Sequence, residues 1–340
     1  WAGRGQSNGS DTFLPSPADG ALPRRHLQVP SYMRMLNAST KGLSIDIARG
    51  EVDFHDLDQR TVIVTGLSKY TEEEGIGLVV SAQIHMPFKK IILYDLGVKE
   101  KTIARLRPLC NVEIRDFKFA KYPPHVKSLR NNAWKLIIIT DALKEFGSVF
   151  YAHPHVRFRA PVSVLYPYVR EVHGFIASMA EGTSLLNATH PDMLKHMGVS
   201  ATSLARPEAR GGPIVSGDIL LLVTNSTFYR RAVPVLRKCL FKARCLAPQG
   251  SSWSPVPGRP GRGHGSGRQR PHHFDLSALS LTMFREFGEG WAPGEAVRRM
   301  TRRLYVVQDE AEPLRELSWS FRCNPPKQEF DPARLLQKKT

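Results

Sequence analysis

Between Thr61 and Phe158 the chain alternates short apolar runs with longer amphipathic ones, and this alternation constrains its fold more than any other feature. The run TVIVTGL (61–67) is β-branched and ends at Gly66-Leu67, the pattern of a strand buried on both faces. TEEEGIGLVVSAQIH (71–85) follows, with glutamates in its first turn where a helix N-terminus favours them. KKIILYDLG (89–97) reads as a second strand, VKEKTIARLRPL (98–109) as a helix, and NVEIRDFKF (111–119) as a third strand. NNAWKLIIITDALKEF (131–146) spaces Trp134, Ile137, Ile138 and Leu143 along one helical face. SVFYAHPHVRF (148–158) is then a fourth strand, interrupted at Pro154.

Four strands separated by three helices within about 100 residues predict a doubly wound α/β unit. Such sheets take ligands outside the carboxyl ends of their strands. The ends TGLSKY, YDLG and AHPH are therefore expected to converge on one cleft. Farther on, GPIVSGDILLLVT (212–224) predicts one or two more strands. FYRRAVPVLRKCLF (228–241) and FDLSALSLTMFREFG (274–288) predict helices, the latter buried through Leu276, Leu279 and Met283.

The flanks differ in texture. Residues 1–55 are rich in Gly, Ser, Pro and charge and read as a flexible stem. A single large domain is expected over 56–325, interrupted by a Gly/Pro/Arg-rich basic loop at 249–272, with a basic tail at 326–340. The last part of the domain, with Trp319, Phe321 and Cys323, is expected to pack back on it. The formal net charge is +17, but the excess is scattered and no zinc-finger, RNP or basic-zipper pattern accompanies it. Nucleic acid is accordingly not the expected partner.

Compartment is better marked. Asn8, Asn37, Asn187 and Asn225 each open an Asn-x-Ser/Thr acceptor, four of the eight asparagines, where roughly one would be expected by chance. That excess points to the secretory pathway. The four cysteines are Cys110, Cys239, Cys245 and Cys323. They allow three pairings, and the Cys239/Cys245 spacing suits a short disulfide loop better than a zinc site.

Four segments carry a family resemblance: ILYDLG (92–97), KFAKYPPHVKSLRNNAWK (118–135), EFGSVFYAHPHVRF (145–158), and KCLFKARCLAPQGS (238–251) with HHFDLSAL (272–279). Together they resemble an animal glycosyltransferase-like family with the GT-A fold of nucleotide-diphospho-sugar transferases, over roughly residues 58–285. The resemblance implies a GT-A-like doubly wound mixed sheet flanked by helices. It implies transfer of a sugar from a nucleotide-sugar donor to a glycan or glycoconjugate acceptor in the Golgi or endoplasmic reticulum lumen. An N-terminal membrane anchor would precede the stem. It also implies Mn²⁺ or Mg²⁺, held by carboxylates after the fourth strand and bridging the diphosphate.

At that position the chain departs from the pattern: Ala152, His153, Pro154 and His155 follow Tyr151, and Leu276 follows Asp275 where a glutamine is implied. His153 and His155, two apart, would face one side of an extended strand. They are candidate ligands for a borderline metal, aided by His272 or His273, or else polar lining of a metal-free cleft. Hard Mg²⁺ prefers oxygen, so histidine in place of aspartate weakens it and favours the second reading. Whether such a site turns over or only binds nucleotide-sugar or glycan stays open at this level.

The remaining candidates follow from position. Thr65, Gly66, Tyr94 and Asp95 end strands on the donor side, with Asp95 placed either to hydrogen-bond a ribose or to close a turn. Lys135 and Arg157 are candidate partners for diphosphate oxygens. Asp275 is either a helix cap or a catalytic carboxylate that orients the acceptor hydroxyl or takes its proton.

Overall fold

In a computed structural model, residues 52–252 and 270–307 are described. The sequence-predicted alternation is present in order. Helix α1 (Phe54–Arg60) leads into β1 (Thr61–Leu67), α2 (Glu72–His85), β2 (Ile91–Asp95), α3 (Glu100–Leu106), β3 (Val112–Asp116), α4 (Ala133–Phe146) and β4 (Ser148–Ala152). After β4 come β5 (Val156–Phe158), β6 (Phe175–Met179), α5 (Pro191–Met197), α6 (Ala201–Leu204) and β7 (Val215–Val223). Next are α7 (Thr227–Leu240), α8 (Ala243–Leu246), the short pair β8 (Ser251–Ser252) and β9 (Arg270–Pro271), α9 (Phe274–Phe287), α10 (Glu295–Leu304) and β10 (Tyr305–Val307).

Six strands form one sheet in the order β3-β2-β1-β4-β7-β6. Strands β1 to β4 run parallel, while β7 is antiparallel to both β4 and β6. The fold is therefore an α/β mixed sheet flanked by helices, as expected. Side chains alternate between two cores, as a strand period of two requires. Val62, Val64, Val149, Tyr151, Leu220 and Leu222 face α4, α7 and α9. Ile63, Leu67, Phe150, Ala152, Ile219 and Leu221 face α1, α2 and α10.

Three boundaries refine the sequence reading. Helix α1 begins inside the segment read as stem, because Asp53 caps it by accepting the amide hydrogens of His55 and Asp56. GPIVSGDILLLVT forms one nine-residue strand, not two. Strand β6 and the arginine-rich α10 carry weak sequence signals and take their places from tertiary contacts. The stem to residue 51, most of the basic loop (253–269), and the C-terminal segment and tail from 308 lie outside the described residues. Among the described residues no helix is long and apolar enough to cross a membrane.

Candidate functional site

The parallel strands β1, β2 and β4 end on one edge of the sheet. Because β7 runs the other way, its first residues, Ser216-Gly217-Asp218, lie beside the end of β4, and His153 N donates to Asp218 O at 2.8 Å. The N-termini of α4 and α9 reach the same edge. Asn132 enters α4 from the left-handed region (φ 52°), a conformation asparagine tolerates. Phe274 opens α9 at φ 38°, a strained start for a side chain of this size. Gly217 (φ +82°) lets these parts meet: a Cβ there would fall 2.6 Å from Leu276 Cδ2 and 3.1 Å from Lys135 Nζ.

A buried ion pair lies at this junction. Lys135 Nζ is 2.5 Å from Asp275 Oδ2, with side chains only 4% and 1% exposed. Asn132 Nδ2 donates to Asp275 Oδ1 at 3.2 Å. Burial pushes the Asp275 carboxyl above its ordinary value, against the pull of Lys135 and Asn132. The Lys135 ammonium also sits 5.7 Å from the centre of the Tyr151 ring. Tyr151 is fully buried, its hydroxyl has no hydrogen-bond partner among the described residues, and burial drives its ionisation well upward. Asp275 is not the cap of α9: His273 holds that position, without a side-chain cap bond, and Asp275 lies one residue inside the helix. It is also closed off, with one oxygen facing Lys135 and the other held by Asn132.

The two histidines lie next to this pair, ring centres 4.0 Å apart. His155 Nε2 is 2.9 Å from Asp218 Oδ1, while Ser216 Oγ and Tyr305 Oη donate to Asp218 Oδ2 at 2.7 and 3.1 Å. Burial acts to raise Asp218, but these hydrogen bonds outweigh it and its carboxyl lies below the ordinary value. His153 is held down to about 3, first by burial and then by His155 and Lys135, so its ring is neutral at physiological pH. Its Nδ1 is enclosed and has no partner among the described residues.

This donor set does not fit Mn²⁺ or Mg²⁺. Both ions want several oxygen ligands, and the carboxylate beside the histidines, Asp218, has both oxygens committed. Among the described residues no three His, Cys, Asp or Glu side chains gather as a metal group. Nor does His272 assist. It is fully buried, donates from Nε2 to Leu246 O at 2.9 Å, and accepts His190 N–H at Nδ1 at 3.2 Å.

The donor-side candidates disperse. Asp95 Oδ1 accepts the amide hydrogens of Gly97 and Val98, both at 2.8 Å, which makes it a turn aspartate. Tyr94 packs in the core with Trp134, and burial raises its hydroxyl above the ordinary value. Thr65 is fully buried with no partner for Oγ1 among the described residues, and a Cβ on Gly66 would come 2.4 Å from Trp134 Cζ3. Arg157 folds back, donating from Nη1 to Pro154 O and Val156 O at 2.8 and 3.0 Å, with its guanidinium against Gly77 of α2. Lys135 lies at the strand-end cluster but faces Asp275, not open solvent.

Other residues at this edge escaped the sequence reading. Asp218 is the one acid within the apolar β7, a signal that could have found it. Tyr70, just past β1, is 77% exposed, with Lys69 Nζ 5.0 Å over its ring. It is the kind of free aromatic face on which a base or sugar ring stacks. Elsewhere, Cys239 and Cys245 form a disulfide with Cα atoms 5.2 Å apart. Asn187 and Asn225 are exposed, while Asn8 and Asn37 lie outside the described residues.

Residues 35–140 match a family described as a protein of unknown function (DUF1647). No curated protein sequence matches the chain. Among solved structures, a galactosyltransferase, LgtC, in complex with donor and acceptor sugar analogues is similar at 14% identity, TM-score 0.33, over 52% of this chain and 64% of that one. Mouse xyloside xylosyltransferase 1 in its apo form is similar at 11% identity, TM-score 0.40, over 67% and 82%. Core-mannan synthase A from Aspergillus fumigatus, in a Mn/GDP form, is similar at 11% identity, TM-score 0.34, over 50% and 60%. The chain thus spans under two thirds of the first and third of these proteins. Two are sugar transferases by name and the third a mannan synthase; at such TM-scores the overlap is partial, and the α/β assignment rests on this chain's own strand order.

Proposed function

We propose that this chain is a glycosyltransferase-like protein of the secretory-pathway lumen whose strand-end cleft binds a nucleotide-sugar, with a glycan as second partner, without a divalent metal and without sugar transfer. The carrying observation is the Lys135–Asp275 pair. The carboxylate at the acceptor side of the cleft is buried and occupied by a lysine and an asparagine, so it is not presented to a hydroxyl. The neighbouring place for metal-binding carboxylates holds two histidines and an already committed aspartate. Tyr70 and Lys69 at the end of β1 offer a stacking face and a point charge to the nucleotide. The sequence segments resembling the glycosyltransferase-like family support the donor class. The Cys239–Cys245 disulfide and the exposed acceptor asparagines support an oxidising, luminal compartment.

The test is a thermal-shift panel of nucleotide-sugars with Mn²⁺, Mg²⁺ or chelator, paired with an assay for released nucleoside diphosphate. A ligand at 100 times its Kd stabilises the folded state by about 2.7 kcal/mol. The expected result is a shift of several degrees that chelator leaves unchanged, with no release above buffer. A shift that requires metal, accompanied by release, would replace this reading with an active metal-dependent transferase. No shift with any nucleotide-sugar would end both.

A further inference from the structure

A concavity lined by none of the strand-end residues lies between α5 and the turn α8. Its volume is about 670 Å³, and Asp192, Lys195, His196, Arg244, Pro248 and Gln249 line it. Three of these six side chains are basic and one is acidic. The geometry points to a binding site for a sulfated saccharide, with Lys195 and Arg244 taking the sulfate oxygens. This goes beyond the nucleotide-sugar reading and does not depend on it.

The walls are built rather than incidental. Arg244 sits on a four-residue helical turn closed by the Cys239–Cys245 disulfide, which fixes the loop that carries it. The buried His272 ring ties the two walls together. One of its nitrogens donates to Leu246 O at the end of α8, and the other accepts the His190 amide hydrogen at the cap of α5. His196 is oriented as well: its Nδ1 donates to Asp192 O at 2.8 Å, so Nε2 is the nitrogen left for a ligand. The carboxylate of Asp192 inclines toward His190 Nδ1, 3.8 Å away. Lys195 and Arg244 make no ion pair among the described residues, unlike Lys89, Arg60 and Arg115, which do.

The lining also selects the ligand class. It contains no Phe, Tyr or Trp ring, so the small imidazole of His196 is the one flat face it offers to a nucleic-acid base. It combines a planar guanidinium, which meets two oxygens of a tetrahedral anion, with an ammonium point charge and the amide of Gln249. That mixture suits a hydroxyl-rich ring bearing a sulfate ester. The volume holds a disaccharide, within the usual range of about 300–1,000 Å³ for small-molecule sites.

The experiment uses the full chain and isothermal titration with a heparin-derived trisulfated disaccharide, its unsulfated counterpart, inorganic sulfate and a short single-stranded oligonucleotide. The sulfated disaccharide is expected to bind, and the unsulfated one at least tenfold more weakly. The double variant Lys195→Ala/Arg244→Ala should lose at least tenfold affinity. Lys144→Ala/Arg230→Ala, which removes the same charge from exposed positions elsewhere, should lose less than about twofold, since separated surface charges are screened. Melting curves of both variants check that each remains folded. Equal losses in the two variants would assign the binding to overall charge and overturn the site. So would equal affinity for both disaccharides, or tighter binding of the oligonucleotide.

Discussion

Replacing Asp275 by asparagine isolates the buried ion pair. The substitution keeps the side chain's shape and its contact with Asn132, but leaves the Lys135 ammonium, 4% exposed, without its counter-charge. Breaking a buried pair from one side costs about 3–5 kcal/mol, because the remaining charge stays desolvated. At this domain size each kcal/mol lowers Tm by about 2–4 °C, so D275N should melt roughly 6–20 °C below the parent. The reciprocal variant Lys135→Met behaves differently, since a carboxyl can take up a proton. Burial already raises Asp275, and removing Lys135 removes the strongest opposing pull. A carboxyl whose folded pKa is raised binds more protons in the folded than in the unfolded state. K135M should therefore gain stability relative to the parent as pH falls from that raised pKa toward the unfolded value near 3.9, by about 1.4 kcal/mol per unit. Circular-dichroism melts of D275N, K135M and the double variant K135M/D275L across pH 7.5 to 4.5 provide the measurement. The double variant should recover most of the loss, because no buried charge remains. A D275N melt within about 2 °C of the parent, or a double variant no more stable than either single, would refute the reasoning.

His272 sets an acid limit on the α5–α8 region. Burial lowers it to about 4, so between pH 6.5 and 4 the unfolded chain binds a proton that the folded chain refuses. Its contribution is fully present above pH 6.5 and falls by roughly 3 kcal/mol at pH 4, and His272→Gln should flatten the stability–pH profile by that much. An unchanged slope in urea melts would show that the ring is not held neutral. Gly66→Ala forces a methyl to within 2.4 Å of Trp134 Cζ3. Overpacking of this kind costs about 1–3 kcal/mol and should change the near-ultraviolet signal of Trp134, whereas an alanine tolerated without either change would mean the Gly66–Trp134 approach is soft.

The sheet was legible because its signals are local. The apolar runs at 61–67, 91–95 and 148–152 are too β-branched and too short for helices, and each is followed by a break and then helical spacing. Strand β6 was missed because FIASM is short, lacks alternation and gains its place only by pairing with β7. The site was legible in part. The sequence places Lys135, His153, His155 and Asp275 near strand ends or helix starts, and the structure brings these four together. It does not reveal that Lys135 faces Asp275, because their pairing spans 140 positions and depends on Gly217 letting α9 approach. Tyr94 was assigned by strand position alone and Arg157 by its charge. Which side of the sheet, or of a turn, a side chain takes is decided by packing against Trp134 and Gly77, which position cannot supply.

Charge bookkeeping at the strand ends explains why metal dependence separates the two functional readings so sharply. Lys135 and Asp275 cancel, His153 is neutral, and Asp218 is negative with His155 as its hydrogen-bonded neighbour. A diphosphate entering this cluster therefore meets no net positive charge from it. In a metal-dependent site the divalent ion supplies that charge and is the largest local field. Lys69, just past β1, has no carboxylate partner among the described residues and is exposed above Tyr70. On the proposed reading, nucleotide-sugar binding at this edge would draw mainly on stacking and neutral hydrogen bonds, which salt screens little and chelators do not touch. Transfer would further require stabilising the departing diphosphate, and the lysine inside the cluster, Lys135, is already paired with Asp275.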